Sequence, residues 1–408
     1  MPALLSRMIR IATVSPRMMA TAAARAVPAQ EYDPKRTFYH KDLEIEVISP
    51  QFMLPKPKDP TALKFGHTYA DHMMQCDWDQ DKGWMAPRIE PLREFRIHPG
   101  AKVLHYASEL FEGMKAYRGV DNKIRLFRPE MNMARMKRTA LRAALPDFDG
   151  EELIQIICDM LRIDQEWVPY SDVCSLYLRP TLIGTDPTLG VGCANTAKLF
   201  VITGPVGAYY ATGFQPVSLL ADSRFIRAFP GGVGAYKMGC NYAPTIWVGK
   251  EAANKNCQQV LWLYGESEDL TEVGTMNIFL FWKNLEGDLE LITPPLHRGL
   301  ILPGVTRDSL LELGREWGEF KVTERTLNMG EVKRALDEKR LYEMFGAGTA
   351  CVVSPVGKIL YHNKETDDYE EWHIPTMVSK YGVMKRFFNT INDIQYGRII
   401  KDNWVREI

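Results

Sequence analysis

A glycine-rich segment around a single lysine constrains this chain more than any other feature. In residues 231–242 (GGVGAYKMGCNY), four glycines surround Lys237, and Tyr242 follows the lysine by five positions. Glycine admits positive φ angles and close approach of other groups, so the segment predicts a tight loop that holds the lysine in place. A lysine kept from water has a lowered pKa, and its amine becomes a nucleophile that can form a Schiff base. The alternative is a surface lysine in a glycine-rich loop.

A carboxylate interrupts the next apolar strand pattern. Residues 269–279 (DLTEVGTMNIF) place Glu272 among apolar and β-branched side chains. A buried carboxylate is costly unless a cation pairs with it. Glu272 is therefore either the partner of a cationic group or a glutamate at a strand edge that faces water.

A third segment has the pattern of a helix start that can seat a phosphate. Residues 302–313 (LPGVTRDSLLEL) run from Pro-Gly into an amphipathic helix, whose first N–H groups lack partners within the helix. The alternative is an ordinary capped helix. Lysine, carboxylate and phosphate seat, in this order, match the aldehyde, pyridine nitrogen and phosphate of pyridoxal 5'-phosphate.

Together with residues 111–116 (FEGMKA) and 345–351 (FGAGTAC), these segments resemble the branched-chain amino acid aminotransferases of the mitochondrial type. The resemblance extends from about Phe65 to the C-terminus. It implies a pyridoxal phosphate enzyme of fold type IV, in the class IV aminotransferase family, with a two-domain α/β and α+β fold. It also implies a homodimer that acts on amino acids and 2-oxo acids.

Composition agrees with a globular enzyme. The chain has 408 residues, which is too long for one core and favours two domains. A net charge of −1 gives no electrostatic reason to expect nucleic acid as a partner. No apolar run approaches the ~20 residues that cross a bilayer, so no membrane insertion is expected.

The pattern along the chain predicts five parts. Residues 1–30 contain four arginines and no acidic residue, which is typical of a mitochondrial transit peptide and predicts a matrix location. A disordered tail is the alternative. An extended N-terminal arm is expected over 31–64, a small domain over 65–205, an interdomain linker over 206–215 and a large cofactor-binding domain over 216–408.

The resemblance also assigns residues to the cofactor. Lys237 is the expected catalytic residue, and Tyr242 is expected to bind the phenolic oxygen. Glu272 is expected to bind the pyridine nitrogen. The remaining cofactor-binding residues are Arg135, Val305, Thr306 and Thr349, and only the family match separates Arg135 from neighbouring arginines.

The substrate residues follow from the same match. Backbone N–H groups of Thr349 and Ala350 are expected to take the α-carboxylate, and Val191 is expected to reach across from a partner subunit. Arg179 shares a strand face with Tyr177 and is expected to pair with the γ-carboxylate of glutamate. The full expected set is Phe65, Tyr106, Phe111, Tyr177, Arg179, Val191, Tyr209, Thr275, Met276 and Ala350.

Cysteine usage departs from the family pattern at one position. Seven scattered cysteines without metal-ligand spacing indicate reduced thiols and no metal site. Vertebrate mitochondrial members are expected to carry a redox-sensitive Cys-x-x-Cys where this chain has Cys351 and Ser354. Without a second thiol, a disulfide between these positions is impossible.

The expected reaction is reversible transfer of the amino group of L-leucine, L-isoleucine or L-valine to 2-oxoglutarate. Within the same fold, a D-amino acid transaminase and an aminodeoxychorismate lyase are alternatives. A non-catalytic paralogue that binds metabolic enzymes is an alternative of another class.

Overall fold

The strands account for most of the regular structure in the computed structural model, which describes residues 33–59, 62–207 and 215–408. The predicted leader, residues 1–30, and Tyr209 lie outside the described residues. In chain order the strands are β1 (Glu44–Ile45), β2 (His72–Asp79), β3 (Gly83–Trp84), β4 (Arg88–Pro91), β5 (Glu109–Phe111), β6 (Met114–Arg118), β7 (Ile124–Phe127), β8 (Ser175–Gly184), β9 (Thr196–Val206), β10 (Val217–Ala221), β11 (Gln259–Tyr264), β12 (Asp269–Val273), β13 (Met276–Lys283), β14 (Leu289–Thr293), β15 (Lys321–Glu324), β16 (Leu341–Gly348), β17 (Val352–Asn363), β18 (Asp368–His373) and β19 (Val405–Glu407).

Helices connect and cover these strands. They are α1 (Lys102–Tyr106), α2 (Pro129–Arg142), α3 (Gly150–Ile163), α4 (Thr245–Asn254), α5 (Val305–Trp317), α6 (Met329–Asp337) and α7 (Val383–Gln395). None of the helices within the described ranges is both long and apolar enough to cross a bilayer.

The first sheet contains ten strands in the order β1-β4-β2-β9-β8-β6-β7-β19, with β3 on β2 and β5 on β8. Strands β8 and β9 are antiparallel over their whole length. Helices α2 and α3 pack on this sheet, and Met136 and Ile157 are fully buried in the shared core with Leu199. The sequence predicts an amphipathic helix over 149–168 that starts at an Asp cap; the side chain of Asp149 accepts a hydrogen bond from the N–H of Glu151 at 2.8 Å, and α3 ends at Ile163.

The second sheet contains nine strands in the order β12-β11-β10-β17-β16-β13-β14-β15, with β18 on β17. Strand β10 is parallel to both of its neighbours, β11 and β17, whereas β13 and β16 are antiparallel to each other. The fold therefore mixes parallel and antiparallel sheet, as the α/β and α+β expectation requires. The proposed boundary at 206–215 falls between β9, a strand of the first sheet, and β10, a strand of the second sheet. The division into domains stays a prediction.

The expected N-terminal arm contains little regular structure in its described part. Residues 33–59 hold the two-residue strand β1 and two single 3₁₀ turns, His40–Asp42 and Pro50–Phe52. Strand β1 pairs in parallel with β4, so the arm begins along one edge of the first sheet.

Candidate active site

The lysine loop connects β10 to α4 and is held by its own hydrogen bonds. The side-chain amide of Asn241 donates to the carbonyls of Val233 and Tyr236, each at 2.7 Å. Gly231 has a φ of +79°, which favours glycine, and a Cβ on Gly239 would overlap the carboxylate of Glu109. The glycines are therefore needed by the backbone path that carries Lys237.

Lys237 points into a cavity among polar and aromatic groups. Its Nζ donates to the hydroxyl of Tyr242 at 3.2 Å and lies 4.7 Å from the centroid of the Phe111 ring. The pKa of Lys237 is lowered to about 7, mainly by burial and also by the nearby Arg135 cation, against the opposing charge of Glu112. The position of Lys237 in a cavity, between Tyr242 and Phe111, argues against the surface-lysine alternative, and the lowered pKa favours the neutral, nucleophilic amine near neutral pH.

The cavity has a volume of about 320 Å³ and is lined from both sheets. It brings together most of the residues that the sequence predicted. These are Phe65, Phe111, Arg135, Tyr177, Arg179, Lys237, Tyr242, Thr275, Met276, Val305, Thr306, Thr349 and Ala350.

Glu272 is a buried carboxylate directly behind the wall of this cavity and does not itself line it. It lies on β12, which pairs with both β11 and β13, and is 3% exposed. It accepts the N–H of Leu302, a lining residue, at 2.6 Å. Burial raises the pKa of Glu272, although Arg227, with Nη2 at 3.5 Å, acts in the opposite direction. The alternative of a strand-edge glutamate facing water is therefore excluded, and a further cation would stabilise its ionised form.

The start of α5 faces the same cavity. Gly304 is the N-cap, and no side chain caps the first N–H groups of the helix. A Cβ on Gly304 would overlap the side-chain oxygen of Asn277, whose amide donates to the carbonyl of Leu302 at 2.8 Å. Backbone N–H groups of Val305 and Thr306 thus remain for an anion at a helix N-terminus.

Arg135 is held beside this helix start by a carboxylate that the sequence analysis did not assign. Its Nε and Nη2 each donate to Glu112 at 2.7 Å, and its Nη1 donates to the carbonyl of Pro303 at 3.1 Å. Asn132 also donates to Glu112, which is fully buried. In the segment FEGMKA, Glu112 is a charged residue between an aromatic residue and a glycine. Such a pattern indicates a carboxylate that is buried in an ion pair.

Arg179 lies at the other end of the cavity in the predicted relation to Tyr177. Its Nη2 donates to the Tyr177 hydroxyl at 3.2 Å, and its Cζ lies 4.7 Å from the Phe111 ring centroid. Its buried Nε has no hydrogen-bond partner within the described part of the chain. This guanidinium therefore keeps donor capacity for a ligand.

Two predicted substrate residues lie outside the cavity of this chain. Val191 is 85% exposed, and the hydroxyl of Tyr106 donates to the carbonyl of the exposed Leu189. These residues form one outward-facing group, and Tyr209 falls outside the described residues.

The geometry of this site agrees with the family and the relatives that the sequence matches. A profile described as Amino-transferase class IV matches residues 109–359. The chain therefore belongs to the class IV aminotransferase family, and fold type IV is confirmed. A relative from Caenorhabditis elegans, named branched-chain-amino-acid aminotransferase, cytosolic, is 80% identical over the whole of both chains. Within the family, this chain belongs to the branched-chain-amino-acid aminotransferases.

Further relatives support the same group and the fold. A cytosolic branched-chain-amino-acid aminotransferase from Rattus norvegicus is 53% identical and covers 91% of this chain and 88% of its own. The crystal structure of a branched-chain amino acid aminotransferase from Thermobaculum terrenum in its PLP form has a TM-score of 0.65 at 20% identity, covering 84% of this chain and 99% of its own. At that identity the likeness concerns the fold alone.

The predicted mitochondrial matrix location is wrong, because the Caenorhabditis elegans and rat relatives are both named cytosolic. The mitochondrial type and a transit peptide are likewise not confirmed. The prediction depended on an N-terminal composition rich in arginine and free of acidic residues. That composition alone does not separate a transit peptide from the alternative of a disordered tail.

Proposed function

We propose that the chain transfers the amino group of L-leucine, L-isoleucine or L-valine to 2-oxoglutarate, in a ping-pong cycle. The observation that carries this proposal is a single cavity lined by the Lys237 amine and the open start of α5, with the buried Glu272 carboxylate bonded to the backbone of the lining residue Leu302. Membership of the branched-chain-amino-acid aminotransferases supports the substrate class.

Pyridoxal 5'-phosphate is the cofactor of this family, and the cavity residues fit it. The N–H groups of Val305 and Thr306 would hold the phosphate with Arg135, while Glu272 would pair with the pyridine nitrogen. When bound, the cofactor supplies an electron sink for the charge that develops at the substrate Cα.

Lys237 and Tyr242 would perform the proton chemistry. The Nζ of Lys237 would hold the cofactor and, as a free neutral amine, would accept the proton of the substrate Cα and carry it during the transfer. Burial raises the pKa of the Tyr242 phenol, so Tyr242 stays protonated at neutral pH and would donate a hydrogen bond to the phenolic oxygen of the cofactor. Glu272 would favour the protonated form of the pyridine nitrogen.

The remaining cavity wall would select the substrate. The N–H groups of Thr349 and Ala350 would take the α-carboxylate, and Phe65 and Tyr177, with ring centroids 4.8 Å apart, present rigid apolar surface to a branched side chain. Arg179 would pair with the γ-carboxylate of glutamate and otherwise remain on the Tyr177 hydroxyl.

A homodimer would complete the site. Tyr106 and Val191 lie together on the surface with Leu189, away from the cavity of their own chain. We propose that this group covers the substrate cavity of the partner subunit. Tyr209 and the linker over 206–215 remain predictions.

Half-reaction spectra test the proposed function. Mixing the holoenzyme with L-leucine should shift the visible absorbance of the cofactor, and 2-oxoglutarate should restore it, whereas D-leucine should leave it unchanged. A response to D-amino acids alone would favour the D-amino acid transaminase. The lyase is tested by release of pyruvate from aminodeoxychorismate. A chain without cofactor absorbance would be the non-catalytic paralogue.

A further inference from the structure

A second cavity lies behind the turn that closes the active site. It has a volume of about 620 Å³, within the range of small-molecule sites. Ala350 lines both cavities, so the turn between β16 and β17 separates them. Lys115 and Cys351 line its inner end, and the C-terminal part of α7 forms a side.

Lys115 is a buried amine at the inner end of this second cavity. Its Nζ donates to the carbonyl of Ala350 at 2.8 Å, and the residue is 9% exposed. Burial lowers the pKa of Lys115 to about 8, opposed only by the thiols of Cys351 and Cys174. No carboxylate of the described residues compensates this ammonium, which has three hydrogens to donate.

Gln395 supplies an unused acceptor in the same wall. It is the last residue of α7, is 4% exposed, and its buried Oε1 has no hydrogen-bond partner within the ranges that the structure describes. Buried side-chain oxygens are usually paired, so this one keeps its acceptor capacity for a donor in the cavity that Gln395 lines. The buried rings of Tyr117 and Tyr396 add apolar surface beside it.

The outer end of the second cavity is polar and carries one cation and two carboxylates, so its net charge is negative. The guanidinium of Arg398 lies 3.1 Å from Asp172 and 3.2 Å from Asp393. Because both carboxylates pair with Arg398, this guanidinium is already neutralised. The cation available to a ligand is therefore the ammonium of Lys115 at the inner end. An anionic group is therefore favoured at the inner end.

We propose that this second cavity binds a small organic acid that also carries an N–H or O–H donor, such as a 2-hydroxy or 2-amino acid. The carboxylate pairs with Lys115, and the donor hydrogen-bonds to the Oε1 of Gln395. Apolar parts of the ligand lie against Tyr117 and Tyr396.

Occupation of the second cavity would be sensed at the active site. A carboxylate at Lys115 competes with the carbonyl of Ala350 for the same amine, and Ala350 belongs to the turn that lines the Lys237 cavity. Any change that the ligand makes in substrate affinity is matched by an equal effect of substrate on ligand affinity. This regulatory consequence rests on the proposed role of Thr349 and Ala350, whereas binding itself does not.

Calorimetric titration of the holoenzyme with a matched pair of probes tests the proposal. L-3-phenyllactate carries both a carboxylate and a hydroxyl, and 3-phenylpropionate lacks the hydroxyl. With 2-oxoglutarate saturating the active site, we expect phenyllactate to bind at least fivefold more tightly than phenylpropionate. Gln395→Leu should remove that preference, and Lys115→Met should weaken both probes at least tenfold.

Controls separate this site from the catalytic one. Lys123→Met removes an exposed lysine that pairs with Glu407 and should leave both affinities unchanged. Absence of binding, or full binding by Lys115→Met, would overturn the proposal. If Lys115→Met does not fold, the loss of hydroxyl preference in Gln395→Leu decides. Normal leucine transamination without probe binding would refute this site alone.

Discussion

The Nζ of Lys237 and the hydroxyl of Tyr242 are 3.2 Å apart, and the two residues are joined by only four intervening positions. The loop therefore aligns an amine with a phenol without help from a distant element. The ring of Phe111 lies against both residues, and its centroid is 5.0 Å from the centroid of the Tyr242 ring. This arrangement excludes water on one side and lowers the lysine pKa, so one short segment provides both position and reactivity.

Lys237→Ala should abolish transamination and leave the fold intact. The substitution removes the proposed attachment point and proton carrier, but the residue lies on a loop and not in a core. Lys250→Ala is the matched control, because Lys250 is exposed on α4. Activity assays and circular dichroism of both variants measure the two expectations, and more than trace turnover by Lys237→Ala would contradict the assignment.

Cofactor loading should follow the titration of Lys237. Its pKa is lowered to about 7, so the reactive neutral amine is scarce below that pH and dominant above it. We expect the rate at which apoenzyme takes up pyridoxal phosphate to rise between pH 6 and about 8 and then level off. Stopped-flow absorbance measures the rate. A continued rise to pH 10 would indicate an ordinary exposed lysine.

Local patterns predicted much of the second sheet. The sequence predicts strands over 259–264 and 289–293 and a helix over 329–338; β11 and β14 have these bounds, and α6 ends one residue earlier. Strands β17 and β18 were not predicted, because β17 contains Pro355 and Gly357, which argue against a central strand, and β18 is rich in acidic residues. The sequence also predicts a C-terminal helix over 376–394, but α7 begins at Val383, after Gly382 adopts a positive φ of 60°.

The site could be predicted where its residues lie in one short segment. It was less predictable where tertiary contacts bring residues from distant segments together. Lys237 and Tyr242 follow from one loop. Glu112 supports Arg135 from another segment, and Arg227 approaches Glu272 across a long sequence separation. Such pairs depend on how segments distant in sequence pack against one another, which no periodicity encodes.

Glu112→Gln should destabilise the protein and weaken phosphate binding. Burial alone would raise the pKa of Glu112, but Arg135 outweighs it and lowers that pKa. Removing one partner of a buried ion pair costs about 3–5 kcal/mol of unfolding free energy. Because the ionised form stabilises the fold, the difference from wild type should be largest at neutral pH and shrink as pH falls below about 4.

Urea unfolding at pH 7 and about pH 3 measures this difference, and titration with pyridoxal phosphate measures cofactor affinity. Glu286→Gln changes an exposed glutamate in the same way and serves as the control. Equal stability of Glu112→Gln and wild type at pH 7 would show that Arg135 does not need its carboxylate.

Peroxide should not inactivate this enzyme through a disulfide between positions 351 and 354. Ser354 is buried and offers no thiol to Cys351. Any loss of activity that a dithiol reverses must come from sulfenic acid or from another cysteine pair. Mass spectrometry after oxidation maps the modified residues, and Ser354→Cys, which restores the second thiol, should gain a dithiol-reversible component that wild type lacks.

Arg179→Ala should separate the two half-reactions. One cavity must accept an uncharged branched side chain and then a γ-carboxylate, which would be strongly destabilised without a cation. Arg179 has the donor capacity, because its Nε has no partner in the described ranges and its Nη2 is engaged only by the Tyr177 hydroxyl. Losing one partner of a desolvated ion pair should cost about 2–5 kcal/mol in kcat/KM for 2-oxoglutarate.

The leucine half-reaction should suffer much less, since an aliphatic side chain makes no ion pair with this arginine. Stopped-flow loss of the cofactor band with leucine, and its recovery with 2-oxoglutarate, measures each half separately. Tyr177→Phe is the matched variant, because it removes the resting hydrogen bond of Arg179 but keeps the ring and the charge. Equal losses in both halves for Arg179→Ala would mean that the arginine supports the cavity wall, and that another group recognises the γ-carboxylate.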